Sequence, residues 1–356
     1  MKRRISPIVL LLLALTARAQ NDPAAIHAAS LPLDSHVDIP LDFATADVDP
    51  VSGDLQVNLE KMKTGGLDAA FFIVYVGQTE RTADNYVQAQ ADAMTKFNAI
   101  HRMTETYPEL IGLAESPDDV ERLVGEGKLA AAIGIENGYV IGTDLDLLDR
   151  YFDLGARYMT LVHNGHNDIA DSAQPDEDLG DGPTEHDGVS DFGARVIRRM
   201  NELGIMVDIS HASKATALQA MELSAAPVIA SHSSVRALTD HVRNLDDETL
   251  LKLRDNGGVV QIVAYSAYIG SAQPKTVSDL VDHIDYAVNL IGIDHVGISS
   301  DFGGGGGIEG WNDASETPNV TAELVRRGYG PDEIGMLWSG NILRVWREVE
   351  RVAAQL

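Results

Sequence analysis

The stretch MNELGIMVDISH at 200–211 decides the fold. It closes a helical pattern running from Phe192 to Leu203, places Gly204 at the C-cap, and continues into an apolar run of strand length that ends in His211. The same ending recurs five more times. SLPLDSHVD ends in His36 and Asp38, LAAAIGIE in Glu136, RYMTLVH in His163, APVIASH in His232, and HVGISSD in Asp301. One such ending is chance. Six point to a single mouth at one rim of a barrel, lined with metal-binding and acid/base side chains.

Eight apolar runs of strand length lie near 31–38, 67–76, 129–136, 156–163, 204–210, 226–232, 257–265 and 294–301. Helical patterns separate them. Asn85–Tyr107 stops at Pro108, Pro117–Gly127 opens on Asp118 and Asp119, and Asp246–Asp255 stops at Gly257 and Gly258. Thr276–Leu290 and Thr321–Arg327 follow the same rules. Strands alternating with helices imply parallel pairing, and eight such units imply a closed (β/α)8 barrel of the TIM type. An open doubly wound sheet is disfavoured because no glycine-rich phosphate loop follows the first strand. Two loops are expected at the catalytic rim: Asn164–Val189, and the run Gly303–Gly307, which equally suits a plain flexible connector. The segment from Gly330 to Gln355 is amphipathic and is expected to pack as a last helix.

The N-terminus reads as a signal peptide over residues 1–19. Lys2, Arg3 and Arg4 precede the apolar run Ile8–Leu15, and Ala17-Arg18-Ala19 fits a cleavage site. The run is shorter than the roughly 20 residues that span a bilayer, although a retained anchor is the competing reading. The mature chain is expected to be residues 20–356, a single catalytic domain, exported to a bacterial periplasm or secreted. The sequence contains no cysteine, so any zinc must be held by histidine and carboxylate, and any homodimer must be noncovalent. A net charge of −27 argues against nucleic acid or anionic lipid as a partner.

Residues two apart on a strand share a face, so His36 and Asp38 can grip one ion together. Glu136 has two oxygens and can bridge two ions. With His211 and His232 these make five ligands from four strands, a set that fits a two-metal hydrolytic site with an open position for water. Asp301 suits a further ligand or a proton carrier, His163 a donor to a developing oxyanion, and Arg243 a fork for a substrate carboxylate. Taken singly, each histidine is more often structural, and Arg243 also suits pairing with Asp246 or Asp247.

These residues, in this order, resemble the membrane dipeptidase (renal dipeptidase) family, peptidase family M19. The matching stretches are DSHVD at 34–38, GIENG at 134–138, LVHNGHNDIADS at 161–172, SHSS at 231–234, RN at 243–244, HVGISSDF at 295–302 and GNILRV at 340–345, with the stretch quoted first. The resemblance implies a (β/α)8 barrel with two Zn2+ per chain. His36, Asp38 and Glu136 would hold one ion, and Glu136, His211 and His232 the other. It also implies a polarising role for His163, carboxylate binding by Arg243, proton transfer by Asp301 and a pocket-lining role for Tyr265. Dipeptides, including those with a D-residue second, are the implied substrates. Val37, Asn137 and Gly303 depart from the family's usual residues without removing a ligand. A related binuclear amidohydrolase acting on another amide or lactam is the alternative. A binding protein that lost its chemistry is disfavoured by the intact ligand set. A glycosidase using Glu136 and Asp301 leaves the histidines without a task.

Overall fold

Apolar runs flanked by capped helices close into a barrel because each run buries both faces, one toward the barrel axis and one toward the helices. The computed structural model describes residues 22–270 and 273–356, so the expected signal segment 1–19 lies outside the described residues. The strands are β1 (Leu33–Asp38), β2 (Ala69–Tyr75), β3 (Ile111–Leu113), β4 (Leu129–Glu136), β5 (Ala156–Thr160), β6 (Met206–Asp208), β7 (Ile229–Ser233), β8 (Val259–Val263) and β9 (Val296–Ser299). All pairings are parallel, in the order β1-β2-β4-β5-β6-β7-β8-β9, and β3 flanks β4. The ring is completed by a parallel bridge between Val37 and Phe302. The Asp38 N–H donates to the Phe302 carbonyl at 2.8 Å. Beside this bridge, Asp34 Oδ1 accepts the Ser300 N–H at 3.0 Å.

The expected eight strands are all present, several of them shorter than their apolar runs. Residues 161–163, 209–211 and 300–301 leave the ladder before the run ends. β3 was not expected: three residues with a single partner strand carry too little periodicity to read.

Helix boundaries follow side-chain caps. Ser116, Ser190 and Asp246 each accept from a backbone N–H three residues on. They open α4 (Pro117–Gly125), α6 (Asp191–Leu203) and α8 (Asp247–Asn256), which follow α1 (Pro23–Ala29), α2 (Leu59–Gly65), α3 (Ala83–Thr106), α5 (Leu147–Asp153) and, between α6 and α8, α7 (Lys214–Leu223). Gly204 adopts φ 85°, the left-handed cap that lets α6 turn directly into β6.

The chain ends in α9 (Val277–Ile291), α10 (Pro318–Arg327), α11 (Pro331–Gly335), a π turn, and α12 (Asn341–Ala353). α12 is the expected last helix. Its Ile342, Val345, Trp346 and Val349 join Leu33, Phe71, Tyr158, Met206 and Val259 in the cluster that fills the barrel interior. The Trp346 ring lies 5.4 Å from that of Phe71, so α12 plugs the barrel end opposite the ligand-bearing rim. Trp346→Ala should lower unfolding stability by about 3–5 kcal/mol, read from the urea midpoint. A loss below about 1 kcal/mol would mean that the helix does not close the barrel.

Candidate active site

His36 and Asp38 leave the end of β1 on the same face, Glu136 is the last residue of β4, and His232 lies within β7. His163, His211 and Asp301 lie in the turns just beyond β5, β6 and β9, not at the last strand residue as the apolar runs implied. His211 and Asp301 adopt φ 64° and φ 59°. Left-handed backbone costs a non-glycine residue free energy and concentrates at functional positions.

The six strand ends bring their side chains onto one another. Glu136 faces two ways. Its Oε1 lies 3.1 Å from His211 Nε2, 3.3 Å from His232 Nε2 and 3.9 Å from His163 Nε2. Its Oε2 lies 3.6 Å from His36 Nε2. His36 Nε2 is in turn 3.4 Å from Asp38 Oδ2 and 4.0 Å from Asp301 Oδ1. His211 and His232 turn their Nε2 atoms to each other at 2.9 Å. Ligands held at about 2.0–2.2 Å in a tetrahedron stand roughly 3.3 Å apart, so these spacings are those of donor atoms around a cation.

Hydrogen bonds on the far side of each ring fix which nitrogen is free. Tyr158 donates its hydroxyl proton to the Ser35 carbonyl at 3.0 Å and lies 2.9 Å from His36 Nδ1, so His36 Nδ1–H donates to it. Ser231 donates to Asp208 Oδ2 at 2.6 Å and accepts from His232 Nδ1–H at 2.8 Å. Asn164 Oδ1 accepts from His211 Nδ1–H at 3.3 Å. All three rings therefore commit Nδ1 outward and turn Nε2 to the centre. His36 Nε2 and Asp38 Oδ1 are buried without a hydrogen-bond partner. Burial, together with Arg243, holds the His211 imidazole well below its usual pKa. Burial and the neighbouring His36 do the same for His232, so both rings are neutral donors. At His36, burial is outweighed by Glu136 and Asp38, which hold its pKa well above normal. The same field attracts a metal cation. The donor set thus fits metal ions, with His36, Glu136 and His232, Glu136, His163 and His211, and His36, Asp38 and Asp301 each close enough to share one.

The glycine run packs against this centre and is not a plain connector. A Cβ at Gly304 would lie 2.4 Å from Asp38 Oδ2 and 2.5 Å from Asp301 Oδ1. Gly303 adopts φ 80°, and a Cβ there would meet the Asp38 carbonyl at 2.4 Å, so a side chain at this position has no room. The backbone itself forms this wall.

The centre opens into a cavity of about 530 Å³. Arg243 lines it and is buried, with Nη2 donating to the His232 carbonyl at 3.3 Å and its guanidinium carbon 5.4 Å from the centre of the Tyr268 ring. Its Nε has no partner. Tyr265 stacks on Tyr268 with centroids 4.4 Å apart. Asp301 is buried, and desolvation with Asp38 and Glu136 raises its pKa well above the usual carboxylate range.

A (β/α)8 barrel whose strand ends converge histidines and carboxylates on a small cavity defines a metal-dependent hydrolase. The model of the membrane dipeptidase family (peptidase family M19) matches residues 20–356, and the chain belongs to this family of dipeptide-hydrolysing metallopeptidases. It is 37% identical to dipeptidase aclJ of Aspergillus oryzae over 85% of this chain and 72% of that protein. Identity to dipeptidase tcpJ of Claviceps purpurea is 35%, over 84% of this chain and 70% of that one. The crystal structure of the probable dipeptidase PvdM from Pseudomonas aeruginosa superposes with a TM-score of 0.90 at 33% identity, covering 94% of this chain and 99% of that one.

Eight of the nine candidate residues named from the sequence line this one cavity, and His36 lies buried against two of them, Asp38 and Glu136. The sequence reading missed Tyr158, Asp208, Ser231 and Asn164, which orient the imidazoles, and Tyr75, Lys96 and Tyr268 on the cavity wall. Asp208 carried a readable signal: an acid inside an apolar run is buried and needs partners. Tyr158→Phe removes the acceptor of the His36 Nδ1–H and should weaken metal binding by about 10–100-fold in a chelator-competition titration. Unchanged affinity would show that this bond does not orient His36.

Proposed function

We propose that the protein is a zinc-dependent dipeptidase with two Zn2+ per chain. The observation that carries this reading is the split of Glu136, with one oxygen toward His211 and His232 and the other toward His36. His36, Asp38 and Glu136 would hold one zinc, and Glu136, His211 and His232 the other. Two zinc ions held there would supply Lewis acidity and would activate a water as nucleophile at neutral pH.

The chain's own residues do the rest. Arg243 binds the substrate's terminal carboxylate through guanidinium donors that no protein group uses. This anchor limits the substrate to two residues, because the scissile carbonyl must lie between Arg243 and Glu136. His163, partly open to the cavity, donates to the carbonyl oxygen as charge develops there. Its backbone is held by Ser172, whose hydroxyl donates to the His163 carbonyl. Asp301 accepts the proton of the attacking water and returns it to the leaving amine, a task suited to a buried carboxylate at the mouth of the barrel. Tyr265 bounds the pocket beside the second residue, where a D-configuration is accepted. The reading of residues 1–19 as a cleaved signal supports export to a bacterial periplasm or secretion. No helix of the described residues is long and apolar enough to cross a membrane.

Elemental analysis of purified protein should find about two zinc ions per chain, with dipeptide hydrolysis abolished by chelator and restored by zinc. Metal without dipeptide turnover would favour the second reading, a binuclear amidohydrolase on another amide or lactam. Arg243→Ala should cut kcat/KM for free-acid dipeptides by about 100-fold and for their C-terminal amides far less. Equal losses on both would remove the anchoring role.

A further inference from the structure

The cavity holds a second cation that the reading above leaves without a task. Helix α3 buries an otherwise apolar stripe (Ala89, Ala93, Phe97, Ile100 and Met103) and Lys96 falls within it. Lysine is almost never buried without a partner. Lys96 is 6% exposed, yet among the described residues its ammonium makes no ion pair or hydrogen bond. It lies 5.4 Å from the centre of the Tyr75 ring and reaches solvent through the active-site cavity, which it lines.

Its place relative to Arg243 gives it meaning. Tyr75 is the last residue of β2, and α3 follows β2, whereas Arg243 follows β7. In the ring order β1-β2-β4-β5-β6-β7-β8-β9, strands β2 and β7 stand opposite each other. The two cations therefore face each other across the mouth, with Glu136 between them. A dipeptide whose carboxylate rests on Arg243 and whose carbonyl lies over Glu136 extends its first residue toward Tyr75 and Lys96. The amino group of that residue is offset by Asp38, Glu136 and Asp301, which leaves Lys96 for the side chain.

We propose that Lys96 is a specificity-determining residue that receives a carboxylate on the side chain of the substrate's N-terminal residue, so that the enzyme prefers dipeptides beginning with aspartate or glutamate. Burial lowers the Lys96 pKa, and only the more distant Asp38, Glu136 and Asp92 act against this. Metal cations held by two of those acids would cancel much of that support, and an anion from the substrate would replace it.

The inference rests on the dipeptidase reading and on Arg243 as the anchor. Its test is kcat/KM of the zinc-loaded enzyme for L-Glu-L-Ala and for the near-isosteric L-Gln-L-Ala, with L-Ala-L-Ala as the reference dipeptide. The wild type should favour Glu over Gln by about tenfold or more, the strength of a charge-assisted hydrogen bond. Lys96→Met should bring the Glu/Gln ratio close to one, and Lys96→Arg should keep it above one. A merely structural lysine would lower both rates together and leave the ratio unchanged. A wild-type ratio near one, or a ratio that survives Lys96→Met, overturns the proposal while the dipeptidase reading stands. Failure to hydrolyse any of the three, L-Ala-L-Ala included, overturns the dipeptidase reading itself, and this inference with it.

Discussion

A buried carboxylate shared between two sets of imidazoles is the constraint from which the site's arrangement follows. Glu136 can turn one oxygen to His211 and His232 and the other to His36 only because β4 delivers it at the barrel axis, with β1 on one side and β6 and β7 on the other. A desolvated carboxylate is costly unless positive charge surrounds it. The mouth gathers Asp38, Glu136 and Asp301 at one spot, which would be strongly destabilising if they had only each other. Histidines with their outer nitrogens already committed to Tyr158, Ser231 and Asn164 make the spot a place for cations. A proton on His36 answers this need in part. Metal ions answer it fully.

The same residues serve packing and chemistry. The Tyr158 ring lies 5.1 Å from Phe71, and Phe71 meets Trp346 of the plugging helix. A Cβ at Gly134 would strike the Tyr158 ring at 2.3 Å, so the neighbouring strand is a glycine where the ring passes. Its hydroxyl then sets the tautomer of His36. Asp208 plays the equivalent part on the opposite wall. Its oxygens accept from Thr160, Ser231 and the backbone N–H groups of Ser210 and Ser231. Through Ser231 it directs His232. The partners of Tyr158 and Asp208 thus lie on neighbouring strands that the barrel's curvature brings together.

At the rim, rigidity comes from backbone rather than from side chains. Gly303 and Gly304 leave no space between the loop after β9 and the two aspartates, so the loop limits the positions these acids can take. The loop after β5 is tied down in the same spirit. Asp171 accepts the N–H groups of Glu185, His186 and Gly188, and Ser172 holds the His163 carbonyl. The result is a preformed pocket with one cation on each of two opposite walls and the acids between them.

The sequence by itself determined the eight barrel strands, the approximate bounds of half of the helices and the identity of the ligand-type residues. These are properties of short windows: an apolar run, a cap, a glycine, a histidine two residues from an aspartate. They survive in the fold because strand length and side-chain alternation are local. Only the tertiary structure decided how those residues meet. The left-handed turns at His211 and Asp301 move these groups off the strand ends and into the centre, and no residue preference announces them. Tyr158 and Lys96 look like ordinary members of their local patterns, because their partners are His36 and the cavity, both supplied by other segments. Which oxygen of Glu136 faces which imidazole, and that Lys96 stands across from Arg243, follow from the closing of the sheet into a ring. That closure is a contact between the first strand and the last, and no local stretch of sequence contains it.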